Sequence, residues 1–136
     1  MGQATLTSGN SVAFGLTSAR NDTIDTIAEA ALFRVIGADS TTALVVETDD
    51  GTNNNDDVAT GTTFINVAKK FYIDFSAGTA DVRFYVDGAR VAASTTFDMS
   101  NYTGGLQPFF QIQKTTGTTT GSFVLDYVHI RSRRSA

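Results

Sequence analysis

The densest set of side chains able to do chemistry is the acidic run Glu47-Thr-Asp-Asp-Gly-Thr-Asn-Asn-Asn-Asp-Asp57. Asp and Asn oxygens are hard ligands of the kind Ca²⁺ takes, about six to eight at a time, from side chains and backbone carbonyls. Asp49, Asp50, Asn53, Asn55 and Asp57 are the residues that would hold such an ion. Their spacing is not that of an EF-hand loop, which needs ligands at alternate positions, a Gly at the sixth and a Glu at the twelfth. The competing reading is a solvated β-turn, because Asp, Asn and Gly are also the residues that turns demand.

Other chemistries assemble poorly. His129 is the single histidine, set in an apolar strand pattern between Val128 and Ile130, with no nucleophile elbow to serve. Glycoside hydrolysis needs two carboxyl groups across a cleft, about 5 to 10 Å apart. The short-range cluster Glu47 to Asp50 reads instead as a strand end and turn. The Gly-rich stretch Thr115-Thr-Gly-Thr-Thr-Thr-Gly121 has no Lys and no following helix pattern, so it reads as a hairpin or long loop rather than a phosphate cradle. For sugar binding, Tyr72, Tyr85, Tyr102 and Tyr127 offer rings, and Asn66, Asn101, Gln111 and Gln113 offer amides, without any Trp. Outward Tyr on a Thr-rich sheet face serves equally well as a protein contact.

The elements that would position these groups are strands. In Asp81-Val-Arg-Phe-Tyr-Val-Asp-Gly-Ala-Arg-Val91, two alternating runs meet at Asp87-Gly88, the pair a type I′ hairpin turn prefers because both central residues take positive φ. Alternation and turn signals predict strands at Val12 to Leu16, Ala31 to Ile36, Ala43 to Thr48, Thr63 to Ala68, Phe71 to Ser76, Val82 to Val86, Arg90 to Ser94, Leu106 to Lys114 and Ser122 to Arg131. Phe71, Ile73 and Phe75 share one face, and Val82, Phe84 and Val86 share another, leaving Tyr72, Asp74, Arg83 and Tyr85 outward. Residues 22–31 also fit a helical turn, with Ile24, Ile27 and Ala28 on one side; strand or loop is preferred. Pro108 suits an edge or a strand start.

Composition sets outer limits. The 136 residues amount to one domain and one core, rich in Gly and supplied with ten Phe. Fourteen acids against ten bases leave a net charge of -4, which argues against nucleic acid as the main partner. The end differs: Arg131, Arg133 and Arg134 form a basic terminus suited to an acidic surface or simply to solvent. There is no cysteine, so neither disulfides nor thiolate chemistry enter. No leader pattern and no apolar run of about 18 residues occurs, so a chain made in the cytoplasm and kept off membranes is expected. The expected organisation is an extended arm over 1–10, an all-β sandwich over 11–131 and a basic tail over 132–136.

Phe84-Tyr-Val-Asp-Gly88 in a hairpin and Val124-Leu-Asp-Tyr-Val-His-Ile130 as closing strand resemble the concanavalin A-like lectin/glucanase jelly roll, laminin G-like domains included, over roughly Val12 to Arg131. That resemblance implies a jelly roll of two antiparallel sheets. The glucanase branch carries a Glu-x-Asp-x-x-Glu strand, and this chain has no such triplet, so the resemblance implies a non-enzymatic role. Thr96-Phe-Asp-Met-Ser100, followed by Leu106-Gln-Pro-Phe-Phe-Gln-Ile-Gln-Lys114, looks like the small lectin-fold proteins of tailed bacteriophages. This likeness implies a decoration or cement subunit on the capsid exterior of the virion, a homotrimer bound to the major capsid protein and made in the host cytoplasm. The alternative it leaves is a lectin-like module for a host glycan, with calcium at the acidic run.

Overall fold

In the computed structural model, which describes residues 2–132, ten strands and one 3-10 turn follow in order. They are β1 (Gly2–Thr5), β2 (Asn10–Thr17), the turn Ile24–Thr26, β3 (Glu29–Ile36), β4 (Ala43–Asp50), β5 (Asn54–Thr63), β6 (Phe71–Asp74), β7 (Arg83–Val86), β8 (Ala89–Val91), β9 (Gln107–Lys114) and β10 (Ser122–Leu125). A five-stranded sheet in the order β5-β4-β3-β2-β9 packs on a three-stranded sheet, β6-β7-β8, and β1 pairs with β10 beside them. Every ladder is antiparallel, and the architecture is a β-sandwich.

The alternation of β2, β3 and β4 turns Val12, Phe14, Ala31, Phe33, Val35, Leu44 and Val46 inward, onto Phe84, Val86 and Phe97. Phe14 centres an aromatic cluster, with ring centroids 5.5 Å from Phe33, 4.7 Å from Phe71 and 5.1 Å from Phe123. Such pairs add to the area term that drives burial. Phe84 and Val82 are fully enclosed and Val86 nearly so, while Phe71, Ile73 and Phe75 pack half-buried against the same cluster, as the alternation predicts. At the hairpin, Asp87 and Gly88 take φ of 51° and 86°, and Val86 faces Ala89 across a two-residue turn. The Asp87 carboxylate also accepts a 2.9 Å hydrogen bond from the Lys70 N–H, which ties the start of β6 to the turn.

The other face of the central strands is covered too. Ile24 and Ile27 sit on Ala13, Ala30, Leu32 and Phe109, so β3 is buried on both sides and reads as a nearly continuous apolar run. The turn is pinned by the Gln111 amide, which donates to the Asp22 carbonyl at 3.1 Å, and by Gln113, whose carbonyl accepts from the Ile24 N–H at 3.2 Å.

Four expectations change. Residues 63–68 do not form a strand: the strand is β5, ending at Thr63, after which Phe64 turns into the core and its N–H donates to the Thr42 carbonyl. The closing strand stops at Leu125, which pairs with Gly2, the first residue of β1. The stretch read as an extended arm carries β1, paired with the chain's own β10. Within 22–31, read as strand or loop, Ile24–Thr26 form a 3-10 turn, while Glu29 to Ala31 already belong to strand β3. Met1 and the arginines at 133 and 134 lie outside the described residues.

Candidate functional site

The acidic run is a hairpin rather than a loop. β4 carries it to Asp50, residues 51–53 turn, and β5 begins at Asn54. Strand alternation sends its acids to different places.

Asp50 lies buried on the core side of β4, closing the turn. Its Oδ1 accepts from the Thr52 N–H at 2.9 Å and the Asn53 N–H at 2.6 Å. Its Oδ2 accepts from the Asn53 amide and, across the end of the sandwich, from the Asn101 N–H, both at 3.0 Å. Burial pushes this carboxyl up, but the backbone N–H groups of Asn53 and Asn101 and the Asn53 side chain outweigh it and hold the pKa at about 2. Asp49 caps the same turn by accepting from the Gly51 N–H at 2.8 Å. Asn55 reaches back to the Thr48 hydroxyl at 3.4 Å. Of the five residues predicted to surround an ion, Asp49, Asp50 and Asn53 order the turn, Asn55 bonds to β4, and Asp57 belongs to a different cluster.

That cluster forms on the outer face around Arg34. Arg34 and Glu47 are both buried and form an ion pair; Asp25, from the 3-10 turn, meets the same guanidinium. Asp57 and Asp56 approach it at 3.4 Å and 3.9 Å. The carboxylate oxygens of Glu47, Asp56 and Asp57 lie within 4.8 Å of one another, the arrangement a hard cation would accept, and the guanidinium fills the cationic role there. Burial would lower the Arg34 pKa, yet Glu47 and Asp25 raise it. Glu47 is pushed up by burial, pulled down by Arg34, and pushed up again by Asp56 and Asp57. Asp57 is likewise raised, first by burial and then by its acidic neighbours against the pull of Arg34. One cation is divided among four carboxylates. The readable signal was Arg34 itself, a charge set directly between Leu32-Phe33 and Val35-Ile36, which demands a carboxylate once buried.

No family model, curated protein or solved structure matches this chain.

The remaining candidates scatter. His129 is exposed and lies beyond β10, not within a strand. Tyr72 and Tyr85 pair across β6 and β7 with centroids 5.8 Å apart, on the outward face of the three-stranded sheet. The Tyr102 hydroxyl donates to the Gly105 carbonyl at 2.9 Å, and Tyr127 stands exposed on the C-terminal segment. Gln111 and Gln113 hold the 3-10 turn, Asn66 accepts from the Thr5 hydroxyl at 2.7 Å, and Asn101 uses its backbone on Asp50, so the four amides do not converge. A concavity of about 220 Å³, lined mainly by apolar groups including Leu16, Phe75, Met99 and Leu106, opens between loops.

Most of the exposed large apolar side chains among the described residues gather in two stretches. Phe110 and Ile112 on β9 are partly open, and Val124, Leu125, Tyr127, Val128 and Ile130 are exposed along the C-terminal segment. Phe110 stacks on Phe123, which joins the two stretches. No helix among the described residues is long and apolar enough to cross a membrane.

Proposed function

We propose that this chain is a non-enzymatic virion structural protein, a bacteriophage capsid decoration or cement protein that binds the major capsid protein shell from outside. The observation that carries the reading is the run of exposed apolar side chains from Val124 to Ile130, continued by Phe110 and Ile112, on an otherwise well-closed sandwich. Exposed large apolar side chains gathered in this way mark a protein contact. The resemblance of the Phe84–Gly88 hairpin and of the second half of the chain to concanavalin A-like jelly rolls, and to phage head proteins, supplies the partner class. On this reading a homotrimer spans junctions between capsid subunits, adds buried area there and stabilises the shell against internal pressure by mass action on the assembled state. Purified protein mixed with undecorated phage heads is expected to co-sediment with them and to raise their melting temperature; protein left in the supernatant sinks the reading.

A second reading is favoured by the Tyr72–Tyr85 pair, whose adjacent rings offer a stacking platform for a host glycan. Glycan-array binding lost on Tyr72→Ala would support it, and an array blank with and without calcium would dismiss it.

A further inference from the structure

We propose that copies of this chain join head to tail, the apolar C-terminal segment Val124–Arg131 of one docking against the acidic β4–β5 edge of the next. The inference deepens the homotrimer in the reading above by assigning its contact.

β9 and β5 are the two outer strands of the five-stranded sheet, and neither has a second ladder partner among the described residues. The apolar surface gathers at the β9 side. Phe123 of β10 stacks on Phe110 of β9, and the chain then runs on as Leu125-Asp-Tyr-Val-His-Ile-Arg131, close enough for the Arg131 charge to act on Tyr72 at the outer strand of the second sheet. Among the described residues, eight of the nine exposed large apolar side chains lie on β9, on Tyr72 or between Val124 and Ile130, so the surface is concentrated rather than scattered. The segment is rich in β-formers, yet beyond Leu125 no ladder engages it among the described residues.

Charge names the occupant. On the outer face of the sheet, Arg34 of the central strand β3 is outnumbered by Asp25 of the 3-10 turn, Glu47 of β4, and Asp56 and Asp57 of the outer strand β5, and the side chains of Asp25 and Asp56 are 70% and 66% exposed. The apolar segment ends in Arg131, followed in the sequence by Arg133 and Arg134. An apolar segment reaching Arg131 therefore follows β10 beside the β9 edge, and an acidic patch short of cations spreads over the outer face to β5 at the other edge. Complementary patches on opposite sides of one molecule make a heterologous contact, which closes into a ring when the rotation permits. Charge matching of this kind sets register and encounter rate.

Light scattering on the full chain tests it. The wild type is expected at a multiple of 14.4 kDa, about threefold for the trimer. Val128→Asp/Ile130→Asp, on exposed side chains, should fall to the single-chain mass with an unchanged circular dichroism melt. Asp56→Lys and Arg131→Glu should each weaken association, and the combined Asp56→Lys/Arg131→Glu variant should regain it. A monomeric wild type, or an oligomer indifferent to the two apolar substitutions, overturns the contact. An oligomer that loses mass with Arg131→Glu but is not recovered by the combined change overturns the acidic edge as acceptor. Co-sedimentation with heads is scored separately. A monomer that still binds heads overturns this contact and leaves the decoration reading standing, whereas a charge-dependent oligomer that ignores heads does the reverse.

Discussion

Glu47 and Asp50 sit on the same strand with the same slight exposure, 5% each, and are treated in opposite ways. Asp50 faces the core side at a turn, where successive backbone N–H groups converge on its two oxygens and the carboxylate is stabilised below its ordinary range. Glu47 faces the outer side in mid-ladder, where the backbone is already paired and Arg34 must be shared with three other acids. A buried carboxylate is settled by local turn geometry at one site. At the other it depends on a residue thirteen positions away and stays short of positive charge.

The comparison can be broken from the Arg34 side first. Arg34→Ala leaves Glu47 buried without its cation and should cost about 3 to 5 kcal/mol in urea denaturation at neutral pH, whereas Arg34→Met/Glu47→Leu should recover most of that loss. A double variant as unstable as the single would mean that the pair does more than neutralise itself. Phe84→Ala, which empties the core between the sheets, sets the scale for such a loss at about 3 to 5 kcal/mol. Asp50→Ala comes next: stranding the N–H groups of Thr52, Asn53 and Asn101 should cost about 1.5 to 3 kcal/mol, and amide exchange at Asn101 should quicken because its acceptor is gone.

Acidity sharpens the contrast. Asp50 is held at about 2, below the ~3.9 of an unfolded Asp, so its contribution is complete above pH ~4 and is lost as pH falls toward about 2. Glu47 is displaced upward, so the folded chain holds its proton more readily, and stability declines as pH rises from ~4.3 through the folded pKa. Chemical denaturation across pH should therefore show a falling limb on each side. Asp50→Asn should flatten the acid limb and Glu47→Gln the other; a profile unchanged in either variant would assign that limb elsewhere. The smallest effect belongs to Asp56→Asn, whose carboxylate is largely in water: a change within about 0.5 kcal/mol is expected.

What was legible followed local rules. Asp87-Gly88 made its turn because two positive φ values are required there and few residue pairs supply them. The inward sets of β6 and β7 followed from period-two alternation of large apolar residues, and the strands β2, β3, β4 and β9 from apolar runs bounded by turn residues. β5 escaped because its residues, Asn54 to Thr63, carry almost no apolar signal; as an outer strand it is held by its ladder with β4, broken by register shifts and a positive φ at Asp57. β1 escaped because a short polar segment becomes a strand only through its partner β10. Arg34 was passed over because its meaning depends on which acids stand near it after folding.

The sequence by itself determined an all-β chain, its tightest hairpin and the inward-facing residues of the two strands around it, because φ/ψ preference and alternation act over a few neighbouring positions. Tertiary structure alone decided which strand follows the turn in the acidic run, that Asp50 and Glu47 part to opposite faces, and that Arg34 gathers carboxylates from three separate segments. It also decided where strand pairing ends, so that Tyr127, Val128 and Ile130 stay in solvent. Charge and ladder partners act through space between residues far apart in the chain, and only the packed sheets bring them within reach.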